Sequence, residues 1–418
     1  MIAPMILALA VVAAQQTVSQ PLTLEQAIAE AEAHAPAIDL ADADSDAAAA
    51  RTDQARAAGL PSATLTGTIG IGRLDPGGFF GLPAADVTPR AAQATLEQPL
   101  FTGGRVSAAM ARARAGERMA GAAGDGARAD LAAQVAEAYG AVLIAEEQQR
   151  LYEALVATTT ELARHAQNRF EVGDAPRTDL SQANARLAEA RAQVAAAHGA
   201  MRVTRARLAN LIGRDPGTLA PLPAPPAIPA DLEATILAAE ESSPAVAQAK
   251  AGLDAALAAE RGAKAERLPT VGAFAEASTV RDQFFPGYRA DAATVGLRAR
   301  WQFFDGGRVR GQVAEASAGV RGARAQLAAA RDQMQEAITA AHAAVESSAL
   351  VEQAATEQRA AAQEAARNVR DEVKVGQKPQ LDLLDAEREA TAAGVFALRA
   401  RADRVTAGYR LNALLGRY

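Results

Sequence analysis

The side chains best suited to acid–base work or metal binding near neutral pH are the four histidines, His34, His165, His198 and His342, and they are scattered without ligand spacing. The glycine-rich run from Gly67 to Gly72 (GTIGIG) has the composition of a phosphate cradle, but it lies inside a strand pattern rather than ahead of a helix. The chain has no cysteine, which removes disulfides, thiolate metal sites, a cysteine nucleophile and a lipid on an N-terminal cysteine. No catalytic centre, cofactor or metal is expected. A formal net charge of −6 gives no clustered cationic footprint, so nucleic acid is excluded as a partner.

Aromatics make up 4% of the chain and hydrophobic residues 50%, so alanine supplies much of the apolar count and long, closely packed helices are favoured. Residues 2–14 form an apolar run ending in Val-Ala-Ala, and a signal peptide spanning 1–14 is expected, although no Lys or Arg precedes it. No stretch has the roughly 18 consecutive strongly apolar residues of a membrane-spanning helix, so any crossing must be made by strands.

The chain is written twice. Leu24, Pro36, Leu60 and Pro61 recur 208 residues later as Leu232, Pro244, Leu268 and Pro269. From Gly103-Gly104-Arg105-Val106 and its copy Gly306-Gly307-Arg308-Val309 onward the displacement is 203, and it holds to Leu211-Ile212-Gly213-Arg214 and Leu414-Leu415-Gly416-Arg417. The slip marks a loop, whereas the later stretch tolerates no gap because an insertion would rotate a helix face. Two repeats follow, 15–230 and 231–418. Each opens with an alanine-rich helix of about 36 residues, 24–59 and 232–267, closed by Leu-Pro.

Strands come next. Thr64, Thr66 and Thr68 alternate with Leu65, Gly67 and Ile69, and Val295, Leu297, Ala299, Trp301 and Phe303 alternate with Thr294, Gly296, Arg298, Arg300 and Gln302. Period-two patterning over about ten residues fits membrane-barrel strands, apolar toward lipid and polar toward a wet lumen. A composite barrel domain from 60–101 and 268–304 is expected, with outward loops 73–89 and 280–290. Phe79, Phe80, Phe284 and Phe285 would either join an aromatic girdle there or pack within the loops. Thr102 and Asp305 then open helices that run without proline to 171 and 374, about 68 residues or roughly 100 Å each. The return helices, 177–212 and 380–415, are about half as long, and the helices that open the repeats supply the missing length. Leu180, Leu187, Val194, Met201 and Leu208 recur every seven residues with Ala183, Ala190, Ala197, Thr204 and Leu211 between them, a coiled-coil seam. Arg404, at the position of Met201, is expected to face a lumen or pair with a glutamate. Four strands leave two open edges and two hairpins cannot close a wall, so a homotrimer with twelve strands is expected.

The reversals read Val172-Gly-Asp-Ala-Pro-Arg-Thr-Asp-Leu180 and Val375-Gly-Gln-Lys-Pro-Gln-Leu-Asp-Leu383, glycine ending one helix and proline entering the next. Two such turns at constant spacing, preceded by Pro99-Leu-Phe-Thr-Gly-Gly-Arg105 and Gln302-Phe-Phe-Asp-Gly-Gly-Arg308, closely resemble the TolC outer-membrane factor family. That resemblance implies a mainly α, internally duplicated fold with four strands per protomer, a 12-stranded membrane β-barrel and an α-helical periplasmic barrel built as a trimer. It implies an outer-membrane channel that conducts passively from an inner-membrane pump, of resistance-nodulation-division or ABC type, through a periplasmic membrane-fusion adaptor. Drug efflux, metal efflux and type I protein secretion all remain open. The adaptor-contact tips would be Val172, Gly173, Asp174, Val375, Gly376 and Gln377, both copies lacking the leucine of the family's VGL turn. Asp382 and Asp385 would form the pore constriction: three residues apart on one face of a helix, their crowded carboxylates would favour cations and raise some carboxyl pKa values, whereas an ordinary first helical turn stabilised by the helix dipole would use the same two residues. Asp179, Lys378 and Arg177 would make the gating contacts. The competing reading is a non-channel structural coiled-coil envelope protein, which would have no need of four amphipathic strands.

Overall fold

The computed structural model describes residues 21–75, 77, 81, 83–229 and 231–417. The signal peptide, Phe79 and Phe80 lie outside the described residues. The element order is α1 (Leu24–His34), α2 (Pro36–Ala57), β1 (Ser62–Ile69), β2 (Gly72–Leu74), β3 (Ala85–Val87), β4 (Arg90–Phe101), α3 (Arg105–Glu171), α4 (Arg177–Ile212), α5 (Leu232–Ser242), α6 (Pro244–Ala265), β5 (Thr270–Arg281), β6 (Arg289–Arg300), α7 (Arg308–Lys374) and α8 (Gln380–Leu414). The duplication carries over to the ends of the elements. Helices α1 and α2 map onto α5 and α6 at the 208-residue displacement, and α3 maps onto α7 at 203. Both α3 and α7 have 67 residues, roughly 100 Å of helix at 1.5 Å per residue.

In each repeat the 36-residue opening segment is two helices rather than one. Ala35 and Ser243 adopt extended backbone at ψ 121° and 124°, immediately before Pro36 and Pro244. A proline inside a continuous helix would lose a hydrogen bond and clash with the preceding turn at a cost of ~3 kcal/mol. The chain instead breaks for one residue and restarts with proline in the first turn. Thr23 and Gln26 close a reciprocal capping box on α1, and the Asp231 carboxylate accepts from the Ala234 N–H on α5.

The chain divides into two compact units. One comprises residues up to 35, 133–226 and 347–407, and the other 36–132, 227–346 and 408 onward. In the first unit, Tyr139 is fully buried, and its hydroxyl lies 2.7 Å from the Leu22 carbonyl and 2.6 Å from the Ala220 carbonyl. Its single proton is shared between two acceptors that a parallel bridge between Leu22 and Leu219 holds side by side. Burial pushes the Tyr139 hydroxyl up to about 12. The α4 seam buries Ala183, Ala190 and Ala197, while Leu180 and Leu187 pack partly buried beside Ala163 and Ala166 of α3. Small residues at that seam let the two helices of the hairpin approach closely. Arg404 pairs with Glu352 at 2.7 Å, the glutamate partner expected of it.

In the second unit, a core of Val246, Leu327, Met334, Ile338, Leu411 and Leu415 joins α6, α7 and the end of α8. The same unit holds a four-stranded antiparallel sheet in the order β1-β4-β5-β6, with β2 and β3 extending the β1–β4 hairpin as a short ribbon. The central pairing of β4 with β5 joins the two repeats, and a register shift between Pro99 and Phe101 leaves Leu100 as the extra residue of a bulge. Strand β6 stops at Arg300, short of Trp301 and Phe303, because Thr270, the first residue of β5, is its last partner.

Candidate functional site

Two places in the chain are built to do more than hold the fold: the sheet and the helical turns. The sheet register sorts its side chains by face. Ala63, Leu96, Ala275 and Val295 form one cross-strand row, and Leu65, Ala94, Ala277 and Ala293 form another on the same face. The opposite face carries the row Thr64, Thr95, Glu276 and Thr294, and the row Thr66, Gln93, Ser278 and Ala292. One face is therefore apolar and the other wettable, yet the apolar one is not covered: Leu65 is 79% exposed and Val295 83%. An exposed apolar sheet face with open β1 and β6 edges is costly in water and suited to a lipid-facing barrel wall. On the polar face the Arg298 guanidinium donates to Glu97 at 2.9 Å and sits 4.6 Å over the Phe274 ring.

Where the sheet hands over to helix, Trp301 and Phe303 lie with ring centroids 6.2 Å apart and Phe101 is also exposed. The Trp301 indole N–H donates to the Arg267 carbonyl at 3.1 Å. Exposed aromatics with one polar tip are the side chains that populate a membrane–water boundary. At the other end of the strands Phe284 and Phe285 pack edge-on against Tyr288, with centroids 5.0 and 5.2 Å away, so they stabilise their loop. Asp305 then caps α7, accepting from the N–H groups of Gly307 at 2.9 Å and Val309 at 2.8 Å, bonds that lower its pKa.

The two helical turns are closed alike. Gly173 and Gly376 both sit in the left-handed region at φ 78°. The Asp174 N–H bonds to the Arg169 carbonyl and the Gln377 N–H to the Glu372 carbonyl, each at 2.8 Å, while the glycine N–H groups reach Phe170 and Val373. This is the Schellman arrangement, which satisfies the last carbonyls of α3 and α7 and leaves Val172 and Val375 projecting, 78% and 69% exposed. Arg169 braces the first turn through the Asp174 carboxylate at 2.9 Å.

Beyond the second turn, Leu383 and Leu384 are buried with Leu162, Val369 and Val373. That packing fixes the rotation of α8 and leaves Asp382 and Asp385 exposed on either side of the leucine pair. The Asp385 carboxylate lies 3.8 Å from Arg186 on α4 and 4.0 Å from Arg388, and Arg186 also bonds Glu189 at 3.1 Å. Lys378 does not pair with Asp179. Its ammonium is 2.9 Å from Glu372, whose carboxylate, with Asp382 behind it, raises the lysine pKa. Arg177 and Asp179 are exposed in the first turn of α4, and neither makes an ion pair among the described residues. The Glu189–Arg186–Asp385–Arg388 chain, linking the first hairpin to the second, went unseen in the sequence. Its only local traces are the two three-residue spacings, Arg186 to Glu189 and Asp385 to Arg388. Among the described residues there is no group of three metal-ligating side chains.

The chain is similar to known proteins. The profile of the family described as outer membrane efflux protein matches residues 27–214 and 235–417, one segment in each repeat. Outer membrane efflux protein BepC of Brucella suis is 28% identical over 269 residues, covering 64% of this chain and 59% of its own length. The aligned part thus spans less than two thirds of that relative. Protein CyaE of Bordetella pertussis is 33% identical over 346 residues, covering 77% of this chain and 69% of its own. The CmeC outer membrane channel of Campylobacter jejuni has the same fold, with a TM-score of 0.83 at 15% identity, over 94% of this chain and 85% of that one. With the family profile matched in both repeats, the chain belongs to the outer membrane efflux protein family and is an outer-membrane protein.

Proposed function

We propose that this protein is the outer-membrane channel of a tripartite export system, a homotrimeric passive duct for substrates delivered by an inner-membrane pump and a periplasmic adaptor. The observation that carries the reading is the four-stranded sheet, whose apolar face is bare and whose β1 and β6 edges have no partner among the described residues. Lipid would cover the first, and β6 of one protomer pairing with β1 of the next would remove the second. Three copies give a twelve-stranded barrel from 60–101 and 268–304, and the remaining helices form the periplasmic duct. Conduction of this kind requires no catalytic group. BepC is named an efflux protein, and drug, metal or protein cargo would be selected by the pump.

In this reading the turns at Val172, Gly173 and Asp174 and at Val375, Gly376 and Gln377 meet the adaptor. Asp382 and Asp385 from three protomers place six carboxylates around the mouth. Asp179, Arg177 and Lys378 stand near the turns, where contacts between protomers would form and break on opening. Detergent-extracted protein from the outer-membrane fraction should run as a trimer and form ion-conducting pores in planar bilayers. A soluble monomer without pore activity would overturn the proposal.

A further inference from the structure

At the loop end of the sheet, Ile69, Arg90, Arg281 and Arg289 stand directly opposite one another on the four successive strands. Three guanidinium groups thus share a cross-strand row, with backbones about 5 Å apart from strand to strand. Like charges directly opposite in a sheet repel. Arg281 is relieved by the Asp291 carboxylate at 2.9 Å and by the Val280 and Ala290 carbonyls at 2.9 and 3.2 Å. Its neighbours are not. Arg90 and Arg289 are exposed and form no ion pair among the described residues. The nearby carboxylates are otherwise engaged: Asp86 lies 3.9 Å from Arg73, and Asp282 accepts from the Gly287 N–H at 2.6 Å.

The face on which this row lies decides what it meets. By strand parity it belongs with Leu65, Leu96, Ala275, Ala277 and Val295, the apolar face, and not with the threonines and Glu276 of the polar face. From Arg289 to Trp301 is twelve residues, about 40 Å of strand, or roughly 30 Å of depth at the usual barrel tilt. The arginine row and the exposed Trp301–Phe303 pair therefore bracket one membrane thickness. The aromatics mark the side where the helices begin and the arginines the outer surface.

We infer that Arg90, Arg281 and Arg289 form a docking row for the phosphate groups of an outer-leaflet phosphorylated glycolipid, whose acyl chains lie against the apolar face below. The guanidinium fork matches a phosphate in a bidentate manner, and a dianionic group between Arg90 and Arg289 would cancel a repulsion that the chain leaves open. The inference rests on the outer-membrane location and on the apolar face being turned to lipid, and needs neither the pump nor the adaptor.

The test uses the full-length protein in detergent, delipidated and then titrated with diphosphoryl lipid A or with the same lipid stripped of both phosphates. Retained lipid is counted by native mass spectrometry. The wild type should hold the phosphorylated form at least ten times more tightly than the dephosphorylated one. The R90Q/R289Q variant should lose that preference while binding the dephosphorylated lipid as before, and R90K/R289K should keep part of it. Equal binding of the two lipids by the wild type overturns the proposal without reference to any variant. So does full retention by R90Q/R289Q, or displacement of the lipid by millimolar inorganic phosphate, which would make the row a site for free phosphate.

Discussion

Arg186 on α4 and Asp385 on α8 meet at 3.8 Å, a salt bridge from the first helical hairpin to the second. Their side chains are 37% and 52% exposed, so the contact is solvent-screened and contributes about 0–1 kcal/mol. In the proposed channel, a contact of that size would hold the two hairpins together without locking them. Replacing Arg186 with Ala should raise the mean single-channel conductance or the open fraction in planar bilayers, with the thermal midpoint of the protein little changed. Conductance equal to the wild type would remove this pair from gating.

The carboxylates give a separate prediction. In the D382A/D385A variant, block by a multivalent cation should be lost and cation selectivity should fall, because both groups leave the exposed side of α8 while Leu383 and Leu384 still hold it in place. If block and selectivity survive, Asp382 and Asp385 serve only to stabilise the start of the helix.

Gly213 offers a test of the fold. It ends α4 at φ 79°, and a Cβ built there would lie 2.5 Å from the His34 ring. G213A should cost about 2–4 kcal/mol, combining a left-handed backbone with a steric clash, read as a lowered thermal midpoint of the protein. G213A/H34A should recover the steric part alone. A G213A protein as stable as the wild type would show that the turn at this helix end is free to relax.

Tyr139 predicts a dependence on alkaline pH. Its hydroxyl is harder to ionise folded than unfolded, so the neutral form favours the folded state. That contribution is complete below about pH 10, the unfolded value, and is lost as pH rises toward about 12. Y139F should cost about 1–3 kcal/mol near neutrality by leaving the Ala220 carbonyl without its hydroxyl donor, while the Leu22 carbonyl keeps the Ala220 N–H at 2.9 Å. Melting curves recorded between pH 9 and pH 12 should then fall more steeply for the wild type than for Y139F.

What the sequence disclosed was chemistry that acts locally. A glycine with positive φ followed by proline announces its turn at any distance from the rest of the protein, which is why Gly173 and Gly376 were placed correctly with both long helices. Pro36 and Pro244 were equally visible, but an alanine-rich pattern continuing on both sides concealed the one-residue breaks at Ala35 and Ser243. The arrangement at the mouth was less accessible. Lys378 stands in one reversal and Asp179 in the first turn after the other, and nothing local says that Glu372 will win the lysine. Arg186 and Asp385 are almost two hundred residues apart, and only the rotation imposed by Leu383 and Leu384 brings them together.

The open β1 and β6 edges carry a consequence for the cell. In the proposed ring, where each edge is satisfied by another copy, a defect at that edge is contagious, since each assembly that takes up one faulty chain inherits the gap. With two alleles expressed equally and assembled at random as trimers, roughly one ring in eight would be free of the faulty subunit. Loss-of-pairing substitutions in β1 or β6 should therefore behave as dominant alleles, whereas a chain too damaged to associate at all would behave as a recessive one.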